Sequence, residues 1–353
     1  MKPFGVFSDA HLHPWTSFSS DDEHGVNLRL RGLLTEIKRC ALEVKDAGGD
    51  TIYCAGDVFH TRGKIAPLVL NPTIDTIKEV TGGGIKFRIM SGNHDLERRD
   101  SERLSSAITA LAMPGVEIVN EPYCFTDDVV AMIPWFDKLP DLQDAIRACP
   151  FRGDKDATLI LHAPVNGVIA GLPETGLDPE WLASRGFGRV FVGHYHNHKE
   201  FPGNVYSIGA LANHTWSDVG SKAGFLLVDD EGVHFRKSHL PEFLDLDNLA
   251  ELDLDQEEIQ MAVAGNYVRV KTDETKTSAV ESLRQELIAW GALGVLIRST
   301  PKATTTRESA VTASIQSGAS IEQSIGDYVK SQKFADPGAV NAGCLDILSR
   351  TVA

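Results

Sequence analysis

Side chains that can bind metals or transfer protons occur in short clusters within the first two hundred residues. In chain order, the clusters are Asp9-x-His11, Gly56-Asp57, Gly92-Asn93-His94-Asp95, His162 and Gly193-His194-Tyr195-His196. Carboxylate, amide and imidazole donors together suit Mn, Fe or Zn, whereas Mg or Ca favours oxygen ligands throughout. Two such ions about 3.5 to 4 Å apart share a carboxylate, activate a water and hold phosphate oxygens. The pattern therefore predicts a two-metal site that cleaves phosphate esters.

Each cluster by itself also has an ordinary structural explanation. Asp9-x-His11 at a strand end is more often a cap and a surface residue, and Gly56-Asp57 is a common turn. Residues 92–95 are more specific, because an ordinary turn needs one polar group there and this one has three. His194 and His196 face the same side of an extended segment. The ordered combination favours a functional site over chance.

Apolar runs precede the clusters and indicate how they are positioned. Runs rich in Val, Ile, Leu and Phe alternate with helix-like segments through about residue 240, which is typical of an α/β sandwich. Five runs end next to a cluster: 4–7, 51–54, 87–90, 158–161 and 189–192. Strand ends in α/β sheets lie along one edge, so we expect the clusters to converge there. Runs at 205–208, 224–228 and 233–238 are predicted to complete the second sheet.

Composition changes divide the chain into four predicted parts. Residues 1–244 form the main domain, and an acidic connector at 245–258 opens a small α/β module that extends to residue 301. Residues 302–320, rich in Thr, Ser and Ala, are predicted to be a flexible linker. Residues 321–353 show apolar positions at helical spacing on either side of Asp336-Pro337-Gly338, which predicts an amphipathic helical hairpin.

The overall composition limits the protein class. Hydrophobic residues make up 42% of the 353 residues and charged residues 24%, which is ordinary for a globular protein. The five cysteines are scattered and form no Cys-x-x-Cys pair, which favours a reducing cytoplasm. A signal peptide and a membrane-spanning run are both missing from the sequence, so we expect a cytoplasmic protein. The net charge of -15 disfavours binding nucleic acid without metals or a basic partner.

The order of the clusters resembles that of the calcineurin-like metallophosphoesterase superfamily. Gly56-Asp57-Val58-Phe59-His60 is similar to the Gly-Asp-hydrophobic-Phe-His motif of SbcD-type nuclease subunits of DNA end-processing complexes. The connector, small module and hairpin follow in that family's order, and the short C-terminal part is similar to compact versions from large bacteriophages. The resemblance implies a two-sheet α/β/β/α sandwich, a capping domain and a hairpin that binds a partner.

The resemblance also implies roles for individual residues. One metal would be held by Asp9, His11, Asp57 and His196, and the other by Asp57, Asn93, His162 and His194, with Mn²⁺ as the expected ion. His94 would contact the scissile phosphate or protonate the leaving oxygen, Asp95 would orient its ring, and His60 would assist. A structural hydrogen bond is the alternative role for both His94 and His60.

The loop at residues 12–24 departs from the family pattern, which usually has Leu-Gly after the motif histidine. His13 and His24 are possible additional ligands, although a lone loop histidine is usually solvated. Trp15 and Phe18 are candidates for stacking on unpaired bases, and core packing is the alternative. If stacking is their role, alanine substitutions weaken single-strand binding more than duplex binding.

The implied partners are DNA, a second copy of the chain and an SbcC-type coiled-coil ATPase. The segment Ser101–Met113 is the candidate dimer helix, and burial within the monomer would explain its apolar pattern equally well. Residues 321–353 are the candidate ATPase-binding hairpin. A partner that supplies the basic DNA track would allow this chain to be acidic.

Two other functions fit part of the pattern. A phosphodiesterase or phosphatase that acts on nucleotides or small phosphate esters would share the metal site. It would not need the C-terminal parts at residues 245–353. A non-catalytic metal-binding scaffold would share the ligands and has no need of His94 beside the ligand Asn93. The resemblance favours a DNA exonuclease, endonuclease or both over these alternatives.

Overall fold

Three sheets organise the residues that the computed structural model describes, namely 2–98, 106–247, 255–272, 277–299, 325–326, 328–330 and 336–351. The strands are β1 Phe4–Phe7, β2 Thr51–Cys54, β3 Lys86–Met90, β4 Val116–Val119, β5 Tyr123–Phe125, β6 Val130–Ile133, β7 Thr158–His162, β8 Arg189–Gly193, β9 Lys199–Phe201, β10 Val205–Ser207, β11 Gly224–Val228, β12 Val233–Lys237, β13 Phe243–Asp245, β14 Tyr267–Thr272 and β15 Gly294–Ser299. The helices are α1 Leu28–Asp46, α2 Pro67–Gly82, α3 Leu139–Ala148, α4 Pro179–Ala183, α5 Gln256–Val263, α6 Thr277–Ala289 and α7 Pro337–Thr351.

The two larger sheets each have six strands. Their spatial orders are β12-β11-β1-β2-β3-β4 and β5-β6-β7-β8-β10-β9. Strands β1 to β4 are mutually parallel, as are β6, β7, β8 and β10, so their carboxyl ends point the same way within each sheet. The antiparallel strands stand at the sides, where they do not interrupt the edge that carries the clusters.

The sheets pack face to face, with helices on both outer faces. Val6 and Tyr53 from the first sheet share a buried cluster with Met132, Ile160 and Phe191 from the second. The outer face of the first sheet packs against α1 and α2, and the second packs against α3 and α4. This is the predicted α/β/β/α sandwich.

Helix α1 shows how local sequence positions these layers. The Asn27 side chain caps the helix by accepting hydrogen bonds from the backbone amides of Arg29 and Leu30, at 3.1 Å each. Apolar residues at helical spacing, such as Leu30, Leu33, Leu34 and Ile37, are then buried against the first sheet. The Asn27 cap therefore sets where the helix begins, and the spacing of its apolar residues sets which face is buried.

Strands β11 and β12 correct one prediction. They were expected to complete the second sheet, but β11 pairs antiparallel with β1, placing Phe4 opposite Val228, and β12 pairs with β11. Only β10 of the three later runs joins the second sheet, beside β8. An apolar strand can pair with either sheet, and the open edge of β1 is where β11 meets its hydrogen-bonding partners.

The segment proposed as a dimer helix also differs from expectation. Of Ser101–Met113, residues 101–105 lie outside the described residues, and Ala107–Leu111 forms a 3₁₀ helix. Ile108 and Leu111 are completely buried within the chain's own first core. Burial within the monomer, the alternative explanation, therefore accounts for both of these apolar residues.

The small module contains the parallel sheet β13-β14-β15 with α5 and α6. Its first strand begins at Phe243, across the predicted boundary at 244/245. Two compact units span Met1–Ser299 and Thr300–Ala353. The predicted linker at 302–320 lies outside the described residues, and the second unit contributes α7 within the predicted hairpin. Among described residues, no helix has both the length and the apolar character needed to cross a membrane.

Candidate metal centre

The parallel strand ends bring the predicted ligands to one edge of the sandwich. In register, Phe7 lies opposite Cys54, and His162 lies opposite Gly193. Each of these strands ends next to a cluster, and the polar side chains that follow the strands point toward one another. All of the predicted ligands meet there: Asp9, His11, Asp57, Asn93, His162, His194 and His196.

The donor atoms fall into two groups. In one, single donor atoms from Asp9, His11 and His196 all lie within 4.8 Å of one another. In the other, donor atoms from Asp57, His162 and His194 do the same. Each group holds both a carboxylate and an imidazole, the donor mixture that suits Mn, Fe or Zn.

Asp57 lies between the two groups. Its Oδ2 is 3.7 Å from His11 Nε2 in one group and 3.6 Å from His162 Nε2 in the other. Its Oδ1 accepts a hydrogen bond of 2.7 Å from the His94 backbone amide, which fixes the carboxylate plane. The side chain therefore occupies the position of a ligand that two ions can share.

Asn93 joins the second group through its amide oxygen. Asn93 Oδ1 is 3.2 Å from His162 Nε2 and 2.9 Å from His194 Nδ1. His162 Nδ1 donates to the Ala55 carbonyl at 2.7 Å, and because a carbonyl only accepts, this bond leaves Nε2 facing the site. One imidazole tautomer is thus selected by the backbone of the residue that follows β2.

Asp218 orients His196 in the same way and was not predicted from the sequence. Asp218 Oδ1 accepts from His196 Nδ1 at 2.7 Å, which turns Nε2 toward Asp9 and His11. Its Oδ2 accepts from the backbone amides of His214 and Thr215. Thr215 and Asp218 form a capping box, a detectable local pattern, but nothing in that pattern indicates a partner 22 residues away.

His214 is a second residue that sequence reasoning missed. Its Nε2 donates to the Asp9 carbonyl at 2.9 Å, and its ring centroid is 5.2 Å from that of His11. Burial, followed by the neighbouring His196, lowers the pKa of His214 to about 3. His214 is therefore a neutral support beneath two ligands.

The backbone at the ligands is held in an unusual conformation. Positive φ angles occur at Asp9 (51°), His11 (42°), Asp57 (54°) and His194 (109°). Non-glycine residues rarely adopt this region, and such strain accumulates where a fold holds functional groups in place. The ligands are thus positioned before any ion binds.

Two motif glycines are required by close approach of the strand ends. A Cβ at Gly193 would lie 2.0 Å from Ser8 Oγ and 2.5 Å from the Ala55 carbonyl. A Cβ at Gly92 would lie 2.2 Å from Asp57 Oδ1. Gly92 therefore allows its backbone to approach the Asp57 carboxylate, and Gly193 allows β8 to approach the ends of β1 and β2.

The charge balance fits bound cations. Asp9 Oδ1 is buried and accepts no hydrogen bond from the described residues. Burial raises the pKa of Asp9, and the Asp57 carboxylate raises it further. Burial lowers the pKa of His162, but Asp57, Asp9 and the hydrogen bond to the Ala55 carbonyl together outweigh this effect and raise that pKa to about 9. These buried carboxylates require positive charge beside them, which divalent ions would provide.

The surroundings of His94 correct the role expected of Asp95. His94 Nδ1 donates to the His60 carbonyl at 2.7 Å, so the backbone at His60 orients the ring. Asp95 instead accepts from the backbone amides of Phe59 (3.0 Å), Gly92 (2.9 Å) and Val58 (3.3 Å). Its carboxylate therefore joins the loop that follows β2 to the loop that follows β3.

The rings of His11, His60 and His94 form a cluster at the open side of the centre. One ring nitrogen of each lies within 4.8 Å of the others. His94 and His60 are both partly exposed, whereas His11 is buried. With Nδ1 occupied by the His60 carbonyl, Nε2 is the atom that His94 can offer to a substrate.

The 12–24 loop contributes ring contacts beside this cluster. Trp15 stacks on His214 and lies 4.6 Å from His60, and Phe18 stacks on Tyr267 of the small module. His13 lies 3.3 Å from Thr61 Oγ1. His24, the other possible ligand, is well exposed and faces Glu23.

The model of the calcineurin-like phosphoesterase family matches residues 2–198. Exonuclease subunit 1 of Enterobacteria phage T4 is 24% identical over 210 residues, 57% of this chain, which spans 60% of that relative's length. The crystal structure of a Thermus thermophilus protein has a TM-score of 0.41 at 12% identity and covers 67% of this chain and 99% of its own. A dimetal phosphatase from Danio rerio has a TM-score of 0.37 at 11% identity and covers 64% and 91%.

The family match extends over more than half of the chain and ends just beyond His196. It therefore contains every predicted ligand that lies at the sheet edge. The chain belongs to the calcineurin-like phosphoesterase family.

Proposed function

We propose that this chain is a two-metal-dependent DNA nuclease that acts on duplex ends, on single strands or on both, as the catalytic subunit of an SbcCD-like repair and recombination complex. The observation that carries the proposal is the pair of donor groups joined by Asp57, with His94 at their open side. The T4 relative named as an exonuclease subunit supports a nuclease.

The ligand roles follow from the two groups. Asp9, His11, Asp57 and His196 would hold one ion, and Asp57, Asn93, His162 and His194 the other. Mn²⁺ fits this mixture of oxygen and nitrogen donors. When bound, two such ions lower the pKa of a water and offset the charge of the phosphate. The chain's own contribution is to fix the donors through Ala55, Asp218 and the strained backbone.

His94 is the proposed proton donor to the leaving oxygen. The His60 carbonyl holds Nδ1, which orients Nε2 toward the ring cluster formed with His11 and His60. A positioned imidazole contributes typically about 10² to 10⁴-fold to such a step. His60 would assist from beside it, its ring centroid 5.6 Å from that of His94.

Partners are proposed on the same basis. The net charge of -15 leaves little nonspecific attraction for DNA, so a partner would supply much of the basic track. An SbcC-type ATPase bound through residues 321–353, which include α7, would serve that purpose, and a second copy of the chain would complete a homodimer. Deletion of residues 321–353 should abolish ATPase binding, and retained binding would show that the hairpin is not the docking element.

The test is degradation of end-labelled duplex and single-stranded DNA by the Mn²⁺-loaded protein. His94→Ala should lose at least about 100-fold in rate, whereas His24→Ala, which removes an exposed imidazole from the 12–24 loop, should retain activity. Turnover of bis-p-nitrophenyl phosphate without DNA cleavage would identify a small-ester phosphodiesterase instead. Metal binding without turnover of either substrate would identify a non-catalytic scaffold.

A further inference from the structure

A cavity of about 270 Å³ opens beside the metal centre. Its walls come from the 12–24 loop, the start of α1, the segment around residue 213 and the third sheet. The side chains that matter here are Trp15, Phe18, Arg29, His214, Tyr267 and Leu293. A cavity of this volume is on the scale of one nucleotide, and none of the described metal ligands or proposed catalytic histidines lines it.

Flat rings and exposed apolar groups form much of its lining. Phe18 stacks on Tyr267 with ring centroids 5.2 Å apart and planes inclined by 21°. Trp15 stacks on His214 at 5.4 Å and 17°. Leu28 and Leu293 at the cavity are 49% and 57% exposed. Rings held rigidly by their neighbours provide a stacking surface at little entropic cost.

Arg29 gives the cavity a positive charge without a carboxylate partner. Its guanidinium donates to the carbonyls of His214 (2.6 Å) and Ser17 (3.3 Å) and forms no ion pair among the described residues. It also lies 5.2 to 5.4 Å from the ring centroids of Trp15, Phe243 and Tyr267. The carboxylate of Asp218 attracts it but is already engaged by His196 and two backbone amides. A partly buried cation of this kind favours an anionic ligand.

The cavity and the metal centre share neighbouring side chains. His214, one of its walls, donates to the Asp9 carbonyl and contacts the ring of His11. Trp15, another wall, lies 4.6 Å from the ring of His60. A polynucleotide whose phosphate lies beside His94 therefore has this cavity next to it.

We propose that the cavity binds one unpaired nucleotide of the DNA strand adjacent to the scissile phosphate, with its base against the rings of Phe18 and Trp15 and a backbone phosphate on Arg29. The substrate class rests on the proposed nuclease function. Because a base in a duplex is paired and stacked, the cavity selects frayed ends and single strands over intact duplex.

The test measures binding rather than cleavage. A single-stranded oligonucleotide that contains 2-aminopurine is titrated with the full chain in Ca²⁺, and its integrity is checked afterwards on a gel. Wild-type protein should bind it with quenching of the 2-aminopurine fluorescence. Arg29→Gln should weaken binding about ten-fold and reduce the slope of log Kd against log salt by about 1. Phe18→Ala should reduce the quenching.

Two further variants keep the test decisive. Leu293→Trp fills the cavity from its rim, where Leu293 is 57% exposed, and should weaken binding as Arg29→Gln does. Lys38→Gln removes one charge from the exposed face of the same helix, where Lys38 pairs with Glu79, and should bind like wild type. A blunt duplex of the same sequence should show changes of less than about two-fold in every variant.

Unaltered single-strand binding in Arg29→Gln and Leu293→Trp would overturn the proposal, as would equal losses on single strand and duplex. If the wild-type protein cleaves DNA but the variants bind single strands as tightly as wild type, the proposed cavity function is wrong and the nuclease function stands. If the variants bind single strands more weakly but the wild-type protein cleaves no DNA, the nuclease function is wrong and the proposed cavity function stands.

Discussion

His196 Nδ1 lies 2.7 Å from Asp218 Oδ1, and the other oxygen of the same carboxylate accepts from the backbone amides of His214 and Thr215 at 2.8 and 2.9 Å. One carboxylate therefore orients the imidazole of His196, a proposed metal ligand, and holds the segment that carries His214. This links the geometry of the centre to the connection between β10 and β11.

Asp218→Asn should weaken metal binding and loosen the segment at residues 214–215. The one amide oxygen of asparagine can accept from His196 Nδ1, but the NH2 group then faces the backbone amides of His214 and Thr215, from which the second carboxylate oxygen accepts in the wild type. The charge that makes the imidazole a better ligand is also lost, so affinity for Mn²⁺ should fall about 10- to 100-fold. Calorimetric titration of the EDTA-treated protein with Mn²⁺ measures this change. Asp229→Asn is the matched control, because Asp229 pairs with His234 Nε2 at 3.0 Å in the β11–β12 turn. Equal losses in both variants would contradict the assigned role.

Gly193→Ala should destabilise the protein even without metal. The added Cβ would lie 2.0 Å from Ser8 Oγ and 2.5 Å from the Ala55 carbonyl, so strands β1, β2 and β8 must separate. Such overpacking costs about 1–3 kcal/mol of unfolding free energy, measured by urea unfolding in EDTA. Gly82→Ala, whose Cβ would meet nothing within 4 Å, should change stability by less than about 1 kcal/mol. A tolerated Gly193→Ala would show that the strand ends can separate freely.

Asp9→Asn should separate stability from metal binding. Burial and the Asp57 carboxylate both disfavour a charged Asp9, so the neutral variant should unfold at a higher temperature than wild type in EDTA. Mn²⁺ at about 100 times Kd should stabilise the wild type by roughly 2.7 kcal/mol, and the variant by much less. Thermal unfolding with and without Mn²⁺ tests both effects, and an equal metal response would exclude Asp9 as a ligand.

The pKa of His214 predicts how the metal-free protein responds to acid. Burial lowers the pKa of His214 to about 3 in the folded state, against about 6.5 in an unfolded chain. Above pH 6.5 neither state binds the proton, so stability is unaffected. Between pH 6.5 and 3 only the unfolded state binds it, so the unfolding free energy should fall by up to about 1.4 kcal/mol per pH unit.

His214→Gln should flatten that slope, as measured by urea unfolding in EDTA between pH 4 and 7. His239→Gln provides the control, because it removes an imidazole from an exposed position. If both variants keep the wild-type slope, acid destabilisation arises at other groups.

The sequence by itself determined the α/β class, the strands that deliver the clusters and the identity of the residues that meet at their ends. These follow from local information: apolar runs set the strands, and parallel strands place the residues after them along one edge. The resemblance of the motif at residues 56–60 to a known family implied Asp57 as a shared ligand, and the structure places its Oδ2 between His11 and His162.

Only the tertiary structure shows which residues form hydrogen bonds to the site residues and orient them. Asp218 is 22 positions from His196, and the two meet because the chain turns back after β10 and places the connection to β11 beside the end of β8. Asp95 follows His94 directly, yet its carboxylate faces backbone amides at 58, 59 and 92 because neighbouring side chains point in different directions. The pairing of β11 with β1 depends on which sheet edge is open. Hydrogen bonds between distant segments carry no local signature, so these features emerge only when the chain is folded.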